Sequence, residues 1–236
     1  MKYLLPIFLL SIMANAQNTD FLTPYENGNG NQTATYEETI AYFQLLDKNF
    51  ETISMQEMGL TDSGEPLHIV TYNSDKEFDF EKIQKDKAVL LINNGIHPGE
   101  PDGIDATMML FRDLALGKIK IPKHLAIVAI PVYNIGGALN RNSFSRANQN
   151  GPESYGFRGN ARNYDLNRDF VKSDTRNARS FAQIFHLANP DIFIDNHVSN
   201  GADYQYTFTY IATHYQKLGG NLGKFWNTDM LPSLLS

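Results

Sequence analysis

A chain of 236 residues is long enough to fold as one domain around a substantial core. Its net charge of −6, from 26 acidic against 20 basic residues, argues against nucleic acid or anionic lipid as the main partner. The absence of cysteine excludes a disulfide framework, thiol catalysis and any cysteine-based metal site.

The chain opens with Lys2 ahead of a short apolar core that ends at Ala14-Asn15-Ala16. This pattern predicts a secretory signal over residues 1–16, cleaved after Ala16, and hence a secreted or periplasmic protein. The apolar core is too short for the roughly 20 residues a membrane span needs, and no later segment is long enough, so no membrane span is expected. Losing Lys2 with the signal takes the net charge to −7.

Residues 17–34 are polar and glycine-rich, with Asn27-Gly28-Asn29-Gly30-Asn31 at their centre, and are expected to form an exposed lead-in. Thr35-x-x-Glu38 is a capping box that opens a helix, whose stripe Tyr36, Ile40, Phe43 and Phe50 reads as core packing. Residues 53–60 and 67–72 read as two strands joined by a turn at 62–65. His68, inside the second strand, is expected to be structural. Residues 75–87 form a charged connector.

Residues 88–92 are an aliphatic run of the kind found in parallel strands covered on both faces. Asn94-Gly95 and Pro98-Gly99 stop the strand and turn the chain, and residues 103–114 have helical spacing. Residues 125–133 read as a second buried strand, ended by Asn134 and Gly136-Gly137. The two strands and the helix between them predict a right-handed βαβ unit. Residues 140–162 form a long loop rich in Asn, Gly, Ser and Arg, a length that marks a functional or disordered segment. A helix follows over 174–187, with Ala178, Phe181, Phe185 and Ala182 inward. Residues 191–197 are a third short buried strand ending in His197. No internal repeat stands out. The class predicted is α/β: a mixed, largely parallel central sheet with helices on both faces, incomplete at its C-terminal side.

His97 and Glu100 lie on a strand-to-helix loop at the carboxyl end of a strand, where open α/β sheets place their ligands. An imidazole and a carboxylate three residues apart in a tight turn can share one cation. Joined by His197 at the same sheet edge, they make two imidazoles and one carboxylate, a ligand set used for hydrolytic zinc. Between them, Arg168 beside Asn167 suits a planar carboxylate, because guanidinium donates a bidentate pair. Asp165 is a short carboxylate able to orient a ligand histidine from behind.

In this order, His97-x-x-Glu100, Asp165-Leu166-Asn167-Arg168 and Ile194-Asp195-Asn196-His197 resemble the motifs of the zinc carboxypeptidase family, the carboxypeptidase A-like metallopeptidases. The similarity runs from the capped helix near Thr35 to a tyrosine-rich strand over 204–210, within a catalytic domain taken as residues 35–236. It implies that His97, Glu100 and His197 hold Zn2+, that Asn167 and Arg168 grip a terminal carboxylate, and that Asp165 holds His97. It further implies an arginine for the oxyanion. Arg158, nine residues before Asn167, has a matching spacing, with Arg146 and Arg162 as rivals.

The activity so implied is hydrolysis of the C-terminal peptide bond of a peptide, or a cell-wall peptide, that carries a free carboxylate. The sequence departs from the family in one respect. The family's general base is a late glutamate, whereas the carboxylates after His197 here are Asp203 and Asp229. The expectation is a piece of a longer protein, inactive alone for want of that base. Alternatives are an N-acyl amino acid deacylase of a related group and, if the chain truly ends at Ser236, a non-catalytic zinc- or peptide-binding module.

Overall fold

A computed structural model describes residues 21–199, 204–206 and 209–235. The signal segment and the last residues before the tyrosine-rich stretch lie outside these. Contacts divide the chain into two units, residues 1–200 and 201–236.

The first unit holds a five-stranded mixed sheet in the order β1-β2-β4-β3-β5. Its strands are β1 (Ile53–Leu60), β2 (Pro66–Tyr72), β3 (Ala88–Asn93), β4 (Leu125–Ile130) and β5 (Ile192–Asp195). β1 pairs antiparallel with β2, and β2 antiparallel with β4. β3 runs parallel to both β4 and β5. The parallel character predicted for the sheet is therefore confined to the half that carries β3, β4 and β5.

Residues 91–93 of β3 and 126–130 of β4 are buried in unbroken succession. Successive side chains point to opposite faces of a sheet, so unbroken burial means that both faces are covered. β4 stops at Ile130, earlier than the sequence suggests, because Pro131 has no N–H to offer the ladder. The chain stays close nonetheless: the Tyr133 amide donates to the Asn94 carbonyl at 2.8 Å.

The helices of this unit are α1 (Pro24–Asn27), α2 (Tyr36–Asn49), α3 (Phe80–Asp86), α4 (Asp102–Ala115), α5 (Ile135–Leu139) and α6 (Arg176–Ala188). α2 begins at the predicted capping box, with Thr35 and Glu38 each satisfying the other's backbone amide. Phe43 of α2 meets Phe111 of α4 edge to face at 5.7 Å, a pairing worth about 0.5–1.5 kcal/mol beyond its area. In α6 Ala178 and Phe181 are inward as predicted, but Ile184 is buried where Phe185 is 37% exposed. Phe185 instead lies against Phe193 of β5, with ring centroids 6.0 Å apart.

Two expectations are corrected. The segment 21–34 is an exposed lead-in only in part: Asn27 and residues 29–32 are exposed, but α1 carries its own capping box, and Thr23, Thr33 and Ala34 are buried. The cause is charge inside the core. Arg112 of α4 is buried and bonds both Glu26 oxygens, at 2.6 and 2.8 Å, while the buried Asp105 accepts from Thr33 Oγ1. Leaving either group unpaired would cost several kcal/mol, so the segment is drawn in. Second, β5 is an edge strand rather than a buried one. It pairs with β3 alone among the described residues, and Ile192, Phe193 and Ile194 are 38–43% exposed.

The second unit, described by itself, is helical: Tyr215–Leu218, Gly220–Phe225, a π-helical turn Trp226–Met230, and Leu231–Leu235. The described residues of the stretch 204–210 form no strand, and 207 and 208 lie outside them. No helix among the described residues is long and apolar enough to cross a membrane.

Candidate metal centre

β3 and β5 are parallel neighbours, so their carboxyl ends share one edge. β3 leads to β4 on one side and β4 crosses back to β5 on the other, the kind of reversal that opens a crevice outside the strand ends. His97 follows β3 and His197 follows β5. Gly95, at φ +64°, makes the first turn, where a Cβ would be strained and would meet Ile104. A second turn, closed by the Glu100 amide on the His97 carbonyl at 2.9 Å, brings those two side chains together.

The candidate ligand atoms of His97, Glu100 and His197 all lie within 4.8 Å of one another. His97 Nδ1 is 3.1 Å from Glu100 Oε1, and His197 Nδ1 is 3.1 Å from Oε2. Each ring's far nitrogen meets a carboxylate: His97 Nε2 lies 3.1 Å from Asp165 and His197 Nε2 lies 3.0 Å from Asp195. A carboxylate behind each imidazole fixes its tautomer and leaves Nδ1 as the basic nitrogen. The donor set therefore fits a divalent metal: two imidazole Nδ1 atoms and one carboxylate facing a common point.

The electrostatics agree. Burial pushes the Glu100 carboxyl up, but hydrogen bonds to His197 and His97 and from the Val198 amide outweigh it, holding the group ionised well below the usual carboxylate range. Hydrogen bonds to Asp195 and then Glu100 push the His197 imidazole up to about 9. A cation is strongly favoured in this cage.

Asp165 ties the centre to the predicted carboxylate clamp. Burial raises its pKa, and bonds to His97 and Arg158 more than offset that. Its Oδ1 also accepts the Asn167 amide at 3.0 Å, capping the 3-10 turn Leu166–Arg168. Arg168 itself is exposed and donates to the Asn167 carbonyl.

The three rival arginines separate cleanly. Arg158 donates to Asp165 Oδ2 through Nε and Nη2, and its Nη1 is 3.5 Å from His97 Nδ1. Arg162 lies over the Tyr164 ring, 3.9 Å from Asp62, and makes no contact with these ligands. Arg146 reaches Glu100 directly, with Nη2 3.0 Å from Oε1.

The loop 140–162 is ordered by close packing on glycine. A Cβ on Gly136 would lie 2.4 Å from the Ala161 nitrogen, and one on Gly137 2.4 Å from the Phe157 carbonyl oxygen. Asn134, read in the sequence as a strand breaker, donates to the Arg158 carbonyl and holds that residue at the site. Asp195 was likewise unassigned. Its placement two residues before a strand-end histidine was the signal available.

No protein-family model matches the chain. Over 129 residues it is 27% identical to Carboxypeptidase 2 of Trichophyton tonsurans, taking in 53% of this chain and 21% of that protein. The metallo-carboxypeptidase of Burkholderia cenocepacia aligns with TM-score 0.57 at 18% identity, covering 73% of this chain and 43% of that one. The metallo-carboxypeptidase of Pseudomonas aeruginosa gives 0.54 at 16%, covering 72% and 41%. The chain thus spans about a fifth of the curated relative and less than half of either solved structure. The chain resembles Carboxypeptidase 2 in sequence over part of its length and carries, in part, the fold of the solved metallo-carboxypeptidases.

Proposed function

We propose that the protein is an exported zinc metallocarboxypeptidase that removes the C-terminal residue of peptides. The observation that carries this reading is the facing of His97 Nδ1, Glu100 and His197 Nδ1, each imidazole braced by a carboxylate. These three residues would hold the metal. Zinc bound there would supply a Lewis acid for the scissile carbonyl and lower the pKa of a bound water towards about 7.

The remaining roles, the general base apart, belong to the chain. Asp165 and Asp195 keep both imidazoles in the Nδ1-basic tautomer. Arg158, half-buried beside His97, donates to the oxyanion that develops on the carbonyl, a contribution of about 2.7–4 kcal/mol by comparison with single oxyanion donors. Asn167 and Arg168, on the turn that Asp165 caps, receive the substrate's terminal carboxylate, and a charged hydrogen bond of that kind contributes about 1.5–3 kcal/mol. Lys2 and the apolar core of residues 4–13 support export.

The test is release of the last residue from matched peptides with free and amidated C-termini, using zinc-loaded protein extended to include the late glutamate. The reading predicts turnover of the free form alone. Equal turnover of both overturns it.

A further inference from the structure

The Glu100 carboxylate is almost wholly buried and receives more donors than a shared cation explains. Two of its neighbours are the Nδ1 atoms of His97 and His197, which face the proposed metal position. The other two are not candidate ligands, and one meets each oxygen. The Val198 amide donates to Oε2 at 3.1 Å, and Arg146 Nη2 donates to Oε1 at 3.0 Å. The amide is fixed by the chain. The guanidinium is there because a side chain brings it.

That side chain is itself held along its length. Arg146 is 12% exposed, and its backbone amide donates to the Tyr155 hydroxyl at 3.2 Å. Its Nε donates to Gln149 Oε1 at 2.8 Å, and Gln149 Nε2 donates to the Gly99 carbonyl at 3.0 Å. Its stem lies over Gly99, where a Cβ would come within 2.7 Å of Arg146 Cδ. So the turn between His97 and Glu100 carries a glycine where the arginine crosses it. A freely solvated surface arginine needs none of this.

We infer that Arg146 is a positioning residue: it fixes the rotation of the Glu100 carboxylate from outside and so sets how tightly the three-residue centre holds its metal. The inference rests on the proposed metal-centre reading. A carboxylate gripped on both oxygens loses little rotational freedom when it binds a metal, and outer partners of this kind carry about ten- to a hundredfold in metal affinity.

The experiment is a zinc dissociation constant by chelator competition at fixed pH, for the parent chain, His197→Ala, Arg146→Met, Arg146→Lys and Gln149→Leu. The expected result is that Arg146→Met weakens zinc about ten- to a hundredfold. Arg146→Lys should recover part of the loss, since one ammonium cannot reach both Gln149 and Glu100. Gln149→Leu should change affinity less than about threefold, a small part of that loss. Unchanged or tighter zinc binding in Arg146→Met, with His197→Ala defective, overturns the inference and leaves the metal centre standing. Equal losses in Gln149→Leu and Arg146→Met also overturn it, because the role would then be loop anchoring. Parent and His197→Ala binding zinc alike would instead remove the metal-centre reading itself. Should Arg146→Met not fold, Arg146→Lys decides the matter: affinity equal to the parent's overturns the inference.

Discussion

His68, in the antiparallel half of the sheet, and His197, at the end of a parallel strand, each have a glutamate nearby and behave in opposite ways. His68 sits mid-strand in β2, buried, with Glu57 of β1 3.9 Å away across the pair. Burial pushes its pKa down, and the exposed Glu57 offsets this only in part. His197 follows the last residues of β5 and meets two carboxylates at 3.0 and 3.1 Å, which push it up instead. A mid-strand side chain is fixed by the ladder and faces whatever the sheet packs on. Beyond a strand end, turns are free to gather groups from several segments around one point. That is why the chemistry collects where β3 and β5 stop and the core collects where β1 and β2 pair.

The largest expected difference between the halves is in metal retention. His97→Ala or His197→Ala should abolish stoichiometric zinc, while His68→Ala should leave about one zinc per chain, as measured by metal analysis after gel filtration. Loss of zinc from all three would erase the distinction. Next, Asp165→Ala removes the brace from His97 and the partner from Arg158, and should weaken zinc about ten- to a hundredfold in chelator competition. An unchanged affinity would mean that the brace does not set the tautomer.

Smaller effects follow at the rim. In protein extended to include the late glutamate, Arg168→Ala should slow hydrolysis of peptides with free C-termini by one to two decades, from the loss of about 1.5–3 kcal/mol. Amidated peptides, already poor, should change little, so an equal fall for both would remove the clamp. The mildest effect belongs to His68. Its folded pKa lies below the ordinary 6.5, so the unfolded chain binds that proton more readily. Stability from this group is therefore whole above about pH 6.5 and is lost as the pH falls towards the folded pKa. His68→Gln should make the fall of Tm below pH 6.5 shallower. An unaltered slope would show that burial does not dominate there.

Much of this was legible in the sequence, and the reasons are local. The capping box at Thr35, the aliphatic run before Gly95 and the helical spacing after Gly103 are short-range signals, and they gave α2, β3 and α4. His97, Glu100 and His197 stood out because strand ends in an α/β sheet share an edge. What was not legible depends on contacts distant in sequence. The segment 21–34 reads as polar and glycine-rich, yet Arg112 and Asp105 draw it into the fold from more than 70 residues away. The exposure of β5 follows from its place at the sheet's edge, which an apolar run cannot reveal. Arg146 was named as a rival for the oxyanion, but only folding of the loop over Gly99 shows that it reaches Glu100. Asn134 was hidden for a similar reason, since it acts through Arg158 on another segment, whereas Asp195 stands two residues from the His197 it braces.

The most direct test of the central claim is anomalous diffraction at the zinc absorption edge from crystals of the zinc-loaded protein. The account predicts one strong peak per chain, about 2.0–2.2 Å from His97 Nδ1, a Glu100 carboxylate oxygen and His197 Nδ1, with Asp165 and Asp195 still behind the two rings. A peak elsewhere, or zinc bound through Nε2 with the braces displaced, would contradict it.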